Sequence, residues 1–135
     1  MDRIWHSLYK EAKSRLTGKE IPPFIECGNN CCAILTDSNN IYTGISIKSN
    51  TRINSTAEKS AITNMLNNGE TTITRMVILN ELEEVIPPST DCLDYLLELG
   101  TEFGNIDVLI NEKTGETSKL IDLIPSWWGT YRNQK

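Results

Sequence analysis

The N-terminal segment, residues 1–17, carries apolar side chains at helical spacing. Steps of three and four residues separate most of them, which places them on one face of a helix. Asp2 is a suitable N-cap residue and Gly18 marks the end of the pattern, so we predict an amphipathic helix over residues 2–16. The apolar positions are Ile4, Trp5, Leu8, Ala12 and Leu16.

Strand-like patterns follow between residues 31 and 47. The apolar run Cys31–Thr36 leads into residues 37–40, Asp-Ser-Asn-Asn, which form a strong turn signal. In Ile41–Ile47 apolar and polar residues then alternate, so the sequence predicts a β-hairpin. Neighbouring residues of a strand point to opposite faces, and we therefore expect Cys31 and Cys32 on opposite sides of the sheet.

Helical and strand patterns alternate over the rest of the chain. Such alternation predicts an α/β fold in which helices pack over a mixed sheet. The predicted elements are a helix that begins near Glu58, a strand at Met76–Leu79, a helix from Cys92 to Gly100, a strand at Ile106–Ile110, a turn at 112–116 and a short strand at Leu120–Ile121.

Size and composition fit one domain. The chain has 135 residues, and we predict a single domain over residues 1–135 that ends in an aromatic and polar tail at 126–135. It has no apolar run long enough to cross a membrane and no signal-peptide pattern. The expectation is a cytoplasmic protein with its four cysteines reduced. The net charge of −5 argues against nonspecific binding of nucleic acid, which relies on clustered Lys and Arg, but leaves small nucleotides open.

Four short motifs, taken in order, resemble the cytidine deaminase family. They are Thr43-Gly44 in the second predicted strand, x-Ala-Glu-x-x-Ala at residues 56–61, Pro-x-x-x-Cys at residues 88–92 and a closing Leu-Ile-Pro at residues 123–125. The likeness runs from roughly the first helix to Pro125 and so covers nearly the whole chain. The resemblance implies a three-layer helix/sheet/helix sandwich around a mixed five-stranded sheet, and it implies a homodimer or homotetramer.

The same resemblance draws attention to two helix starts, where the family holds a zinc ion. There a Cys or His before Ala-Glu and two Cys of a Pro-Cys-x-x-Cys motif bind the metal, and the Glu shuttles protons. In this chain Thr56 stands at the first ligand position and Ser89 at the second, which leaves Cys92 as the surviving candidate. Neutral hydroxyls are poor ligands for zinc, so we predict no competent metal site and no cofactor. The alternative is a site rebuilt from Cys92 and a cysteine of the first strand.

Glu58 matches the family's proton-shuttling glutamate and has two interpretations. Ser55-x-x-Glu58 has the pattern of a capping box, with Ser55 as N-cap and Glu58 at position N3. Alternatively, its carboxylate faces a ligand and hydrogen-bonds the edge of a base. Ser46 and Lys48 match the positions with which the family grips a ribose, and Lys48 is either a solvated side chain or a phosphate contact. The full predicted contact set is Glu58 with Ser46, Lys48, Thr56, Ala57, Ser89 and Cys92.

Three functions are compatible with these patterns. The first is a protein that binds a nucleoside-like or nucleotide-like small molecule without deaminating it, and the missing ligands favour it. The second is an active deaminase of cytidine or of a blasticidin-like nucleoside, with an unconventional metal site. The third is a purely structural or regulatory subunit of an oligomer. Trp127 and Trp128 in the tail suit either a subunit interface or the edge of the domain itself.

Overall fold

A computed structural model describes residues 2–16, 19–21, 25–49, 55–88 and 105–123 of the chain. Within these ranges the chain forms two α-helices, six strands and a short 3₁₀ helix. In chain order they are α1 (Arg3–Ser14), β1 (Lys19–Ile21), β2 (Ile25–Thr36), β3 (Ile41–Lys48), α2 (Ala57–Asn67), β4 (Ile73–Leu79), β5 (Asp107–Asn111), β6 (Glu116–Lys119) and the 3₁₀ helix (Leu120–Leu123).

The strands form one mixed sheet. Its five longer strands lie in the order β3-β2-β4-β5-β6, with β4 and β5 parallel and the other neighbours antiparallel. The three-residue β1 pairs with the first residues of β2, where Lys19 lies opposite Cys27. The predicted mixed five-stranded sheet is confirmed, and β1 adds a short sixth strand that the Pro-containing sequence after it had obscured.

The two helices cover opposite faces of this sheet, so the predicted helix/sheet/helix sandwich is confirmed. Cys31 packs with α1 and Cys32 packs with α2, as the strand alternation predicts. The core under α1 contains Trp5, Leu8, Ala12, Cys31, Ala33, Leu35, Val77, Leu79 and Leu109. The core under α2 contains Cys32, Ile34, Ala57, Ala61, Ile62, Met65, Ile73, Met76, Ile78, Ile106, Val108 and Leu120.

Asp2 begins α1 and also ties it to the sheet. Its carboxylate accepts a hydrogen bond from the Trp5 backbone N–H at 2.9 Å, which confirms the predicted N-cap. The same carboxylate accepts hydrogen bonds from the guanidinium of Arg75 in β4, with nitrogen–oxygen distances of 2.9 and 3.0 Å. That guanidinium lies 5.1 Å from the centre of the Trp5 ring. The Trp5 N–H and Arg75 together lower the pKa of Asp2. One carboxylate thus caps the helix and fixes its orientation on β4.

The strand β2 begins at Ile25, before the predicted Cys31, and contains a bulge between Cys27 and Cys31. Cys27 pairs with Ile47 and Cys31 with Ile45, so residues 28–30 of β2 face Ser46 alone. Gly28 has φ +78°, a conformation that glycine adopts without a Cβ clash. Gly-Asn-Asn has low strand propensity, and for that reason the sequence pattern missed this part of the strand.

The predicted strand at Leu120–Ile121 is wrong. Leu120 begins the 3₁₀ helix, its side chain is fully buried, and its N–H donates to the Ile106 carbonyl at 2.9 Å. The last strand is the preceding polar segment β6, which lies at the edge of the sheet and alternates weakly. Apolar Leu120 fills the core from a helical turn and not from a strand. The predicted helix from Cys92, the segment Pro22–Phe24 and the tail at 126–135 lie outside the described residues.

Within the described parts of the chain, no helix is both long enough and apolar enough to cross a membrane.

Glu70 fastens the β2–β3 hairpin to the end of α2. It follows Gly69, where the chain leaves the helix, and its carboxylate accepts hydrogen bonds from the Tyr42 hydroxyl and, at 2.9 Å, from the Asn40 side-chain amide. These donors, Tyr42 foremost, lower the pKa of Glu70 from 4.5 to about 2. The hairpin turn and the helix end are therefore joined through one ionised carboxylate.

We expect this junction to be lost in acid. A depressed folded pKa means that the stabilisation is present above pH 4.5 and disappears as the pH falls through about 2. Relative to wild type, Glu70→Gln should be less stable at neutral pH, and the difference should shrink below pH 4.5 and disappear as the pH falls through about 2. Urea unfolding at several pH values measures it, with Tyr42→Phe as a partial version of the same change. A wild-type minus variant difference that is independent of pH would contradict this assignment.

Candidate functional site

Thr56 caps the N-terminus of α2. It has extended backbone angles, and its side-chain oxygen accepts a hydrogen bond from the Lys59 N–H at 3.2 Å. The predicted capping box with Ser55 as N-cap is therefore wrong by one residue, and Glu58 occupies position N2, not N3. Ser55 instead pairs through its backbone with Ile47 of β3, with both hydrogen bonds at 2.9 Å. That pairing holds Ser55 in the sheet, so the helix begins one residue later.

Glu58 lies in the first turn of α2 and is buried, with 4% of its surface exposed. Its chain neighbour Ala57 is 1% exposed, so this part of the first turn faces the protein interior. Carboxylates are seldom buried unless hydrogen bonds or charges compensate them. A helix N-terminus offers such compensation through its free N–H groups and its dipole. The sequence pattern pointed to Glu58 but did not indicate this burial.

Gly44 of β3 lets α2 approach the sheet closely. A Cβ on Gly44 would lie 2.1 Å from the Ala61 nitrogen and 2.6 Å from the Ala57 carbonyl oxygen, both backbone atoms. Only a residue without a side chain fits there. The Thr43-Gly44 motif found in the sequence therefore has a steric reason. It sets the distance between strand and helix at the turn that carries Glu58.

Ser46 and Lys48 lie at the end of β3 beside the start of α2. Tyr42 packs in the core under α2 and Gly44 contacts the helix, so strand alternation places Ser46 and Lys48 on the same face. The Ser46 hydroxyl accepts a hydrogen bond from the Asn30 N–H at 3.0 Å and so braces the bulge of β2. Lys48 is exposed. Through the Ile47–Ser55 bridge, the structure brings Ser46, Lys48, Thr56, Ala57 and Glu58 together at one end of the molecule; Ser89 and Cys92 lie outside the described residues.

The described residues at this site do not fit a zinc ion. Thr56, at the first ligand position of the family pattern, offers a neutral hydroxyl that already accepts the Lys59 N–H. In the described ranges, no group of three or more His, Cys, Asp or Glu side chains is placed to hold a metal. Cys31 lies on the α1 side of the sheet, and burial raises the pKa of its thiol to about 11. Cys32 lies on the opposite, α2 side of the sheet, and Cys92 lies outside the described residues.

Comparison with known proteins places this arrangement in a fold class. No protein-family model and no curated protein sequence matches the chain. Among solved structures, the cytidine deaminase of Mycobacterium tuberculosis is similar at a TM-score of 0.76 and 21% identity, covering 95% of this chain and 99% of that chain. The enzyme of Mycobacterium leprae gives 0.74 and 18%, covering 93% and 100%. The enzyme of Bacillus anthracis gives 0.71 and 20%, covering 98% and 95%.

The chain therefore has a cytidine deaminase-like fold over nearly its whole length. This confirms the fold that the four sequence motifs implied. Identities of this size establish architecture, while the activity has to be argued from the residues at the start of α2.

We expect Gly44→Ala to be strongly destabilising. The added methyl group would clash with backbone atoms of α2, and no rotamer change can relieve that clash. Overpacking of this kind lowers the unfolding free energy by about 3 kcal/mol or more. Gly69→Ala is the matched control, since a Cβ there meets nothing within 4 Å and only its φ of +82° is unfavourable. That control should lose about 1–2 kcal/mol. Chemical denaturation compares the two, and equal losses would contradict a steric role for Gly44.

We also expect the cap to follow Thr56. Thr56→Ala should lower the unfolding free energy by about 1 kcal/mol, because the Lys59 N–H loses its acceptor. Thr56→Ser keeps the hydroxyl, so its unfolding free energy should lie within roughly a few tenths of a kcal/mol of the wild-type value. The same denaturation experiment decides between them. If Thr56→Ala is neutral, α2 is capped by another group.

Proposed function

We propose that this protein binds a nucleoside-like or nucleotide-like small molecule at the start of α2 and does not deaminate it. One observation carries the proposal. Glu58 keeps a buried place in the first turn of the helix, while Thr56, at the family's first ligand position, serves as the helix cap. The chain thus has a carboxylate at the position of the family's glutamate and a hydroxyl at the position of its first metal ligand.

The residues beside Glu58 suggest the kind of ligand. A buried carboxylate accepts a hydrogen bond from the exocyclic amino group of a base, and such charged bonds are among the stronger ones. Lys48, exposed at the end of β3 on the same face of the sheet, supplies a cation for a phosphate. A base with an amino group and an attached anion presents both complements, so we propose a nucleotide above a free nucleoside.

The residues at the family's metal-ligand positions argue against deamination. Hydrolysis of an amidine at neutral pH needs a strongly activated water. Of the two ligand positions that differ from the family pattern, Thr56 carries a hydroxyl engaged as a cap and Ser89 carries another hydroxyl. Glu58 alone can hold a proton or orient a donor, and these are the tasks of a binding residue. We therefore assign it a contact role in binding.

A second candidate, a structural or regulatory subunit without a ligand, has support of its own. Glu58 is 4% exposed, which leaves little of it for a ligand to reach, and the Ser46 hydroxyl is already engaged by Asn30. In that case Glu58 stabilises the start of α2 through its charge. We propose a homodimer or homotetramer in either case, with the aromatic tail as one contact between subunits.

Titration calorimetry with cytidine and its monophosphate tests the binding proposal. We expect both ligands to bind, the monophosphate more tightly, and Glu58→Gln to weaken both by about tenfold or more, because it removes a charged acceptor. Lys48→Gln should weaken only the monophosphate. Lys113→Gln, at an exposed lysine in the turn between β5 and β6, is the matched control and should change neither.

The contrary outcome is equally specific. If neither ligand binds wild type, and Glu58→Gln instead lowers the unfolding free energy by about 1 kcal/mol, then Glu58 is structural and the second candidate stands.

Metal content gives an independent test. Protein purified without added metal and then dialysed should hold zinc far below stoichiometry, because two ligand positions carry hydroxyls. The double variant Thr56→Cys/Ser89→Cys restores thiolate ligands at both positions and should retain more zinc. Elemental analysis measures both proteins. Stoichiometric zinc in wild type would overturn the absence of a metal site.

A further inference from the structure

The turn at residues 80–84 is held rigidly on the molecular surface. The Asn80 side-chain oxygen accepts hydrogen bonds from the backbone N–H groups of Leu82 at 2.9 Å and Glu84 at 3.0 Å. The turn is also attached to α1, because the Tyr9 hydroxyl donates to the Glu83 carbonyl at 2.9 Å and Lys13 pairs with the Glu83 carboxylate at 3.4 Å. Its backbone therefore has little freedom to rearrange.

This turn presents Leu82 to solvent. Leu82 is 73% exposed, whereas the next most exposed large apolar side chain in the described part of the chain, Leu66, reaches 42%. Glu81 precedes it, Glu84 follows two residues later, and both are exposed as well. The Asn80 and Tyr9 hydrogen bonds fix the backbone of the turn on which this exposed leucine stands. An ordered, protruding apolar residue with a charged rim has the form of an interface anchor.

A basic flank of α1 borders the turn. Residues 3, 6, 10 and 13 follow steps of three and four and so share one side of the helix, and they are Arg3, His6, Lys10 and Lys13. All four are exposed. The Lys13–Glu83 ion pair shows that this flank meets the acidic turn. A basic surface and an acidic surface therefore lie next to each other, and the acidic one carries an exposed apolar residue. The basic surface occurs on a chain whose net charge is −5.

We propose that this α1–turn surface, formed by Arg3, His6, Lys10 and Lys13 with Glu81, Leu82 and Glu84, binds a second copy of the chain. A two-fold axis requires a patch that is complementary to itself. Here the acidic turn of one copy meets the basic flank of the other, twice, and the Leu82 side chains become buried between the copies. The proposal uses no residue of the candidate ligand site, so its failure would leave the proposed ligand binding untouched. It does deepen the proposed homo-oligomer by naming the surface of contact.

Sedimentation of the full chain over a range of micromolar concentrations tests the apolar anchor. Wild type should associate, and Leu82→Ser should raise the dissociation constant by about tenfold or more, since truncation of an interface anchor has effects of this size. Leu66→Ser, on the helix that covers the opposite face of the sheet, is the matched control and should leave association unchanged. Higher salt should weaken the association, because the complementary charges are screened.

A charge exchange tests the geometry. Glu81→Lys/Glu84→Lys and Lys10→Glu/Lys13→Glu should each associate more weakly than wild type, because like charges then face each other in both halves of the contact. An equimolar mixture of the two variants restores opposite charges in both halves and should associate again. Monomeric wild type would overturn the proposal and leave the surface to a different protein. Association that resists all of these variants would overturn it as well and place the interface elsewhere.

Discussion

The contact between Gly44 and the backbone of α2 fixes the geometry on which the rest of this end of the molecule depends. With no side chain on the strand, the helix lies directly on β3, with its Ala61 nitrogen and Ala57 carbonyl at distances that exclude a Cβ. This close approach fixes the distance between the first turn of α2 and the end of β3. Glu58 is buried and Lys48 is exposed at the same corner because strand and helix are held in this relation.

The same constraint gives Thr56 and Glu58 different tasks within one helical turn. Ser55 is held in the sheet by Ile47, so the helix can begin only at the next residue, and the hydroxyl there becomes the cap. A hydroxyl can satisfy a helix N–H without the cost of burying a thiolate. Glu58, at position N2 of the helix, carries the negative charge that a helix N-terminus stabilises. The corner has remained favourable to anionic and accepting groups.

Sequence patterns predicted the elements whose signals are local. The Asp2 cap and the β2–β3 hairpin are confirmed because each depends on neighbouring residues. The family motifs predicted the fold because they occur in the family's order between residues 43 and 125. The start of α2 was misplaced by one residue, since the tertiary pairing of Ser55 leaves no mark in the capping pattern. Leu120 was assigned to a strand because an apolar residue does not reveal whether a strand or a turn delivers it to the core. Of the candidate site, the identity of Glu58 was visible in the sequence, while its burial follows from packing against β3.

The central strand β2 has three partners, and this has a consequence for how the chain folds. Its pairing with β3 closes a loop of only a few residues, so the hairpin costs little chain entropy and we expect it to form early. Pairing with β4 must wait until α2 has crossed back over the sheet. The antiparallel pairing of Cys31 with Leu79 closes a longer segment of chain than the parallel pairing of Arg75 with Asp107, so the β2–β4 contacts are the more distant in sequence. The rate of folding should therefore be governed by when β4 joins β2, after the hairpin and the start of α2 beside it have formed.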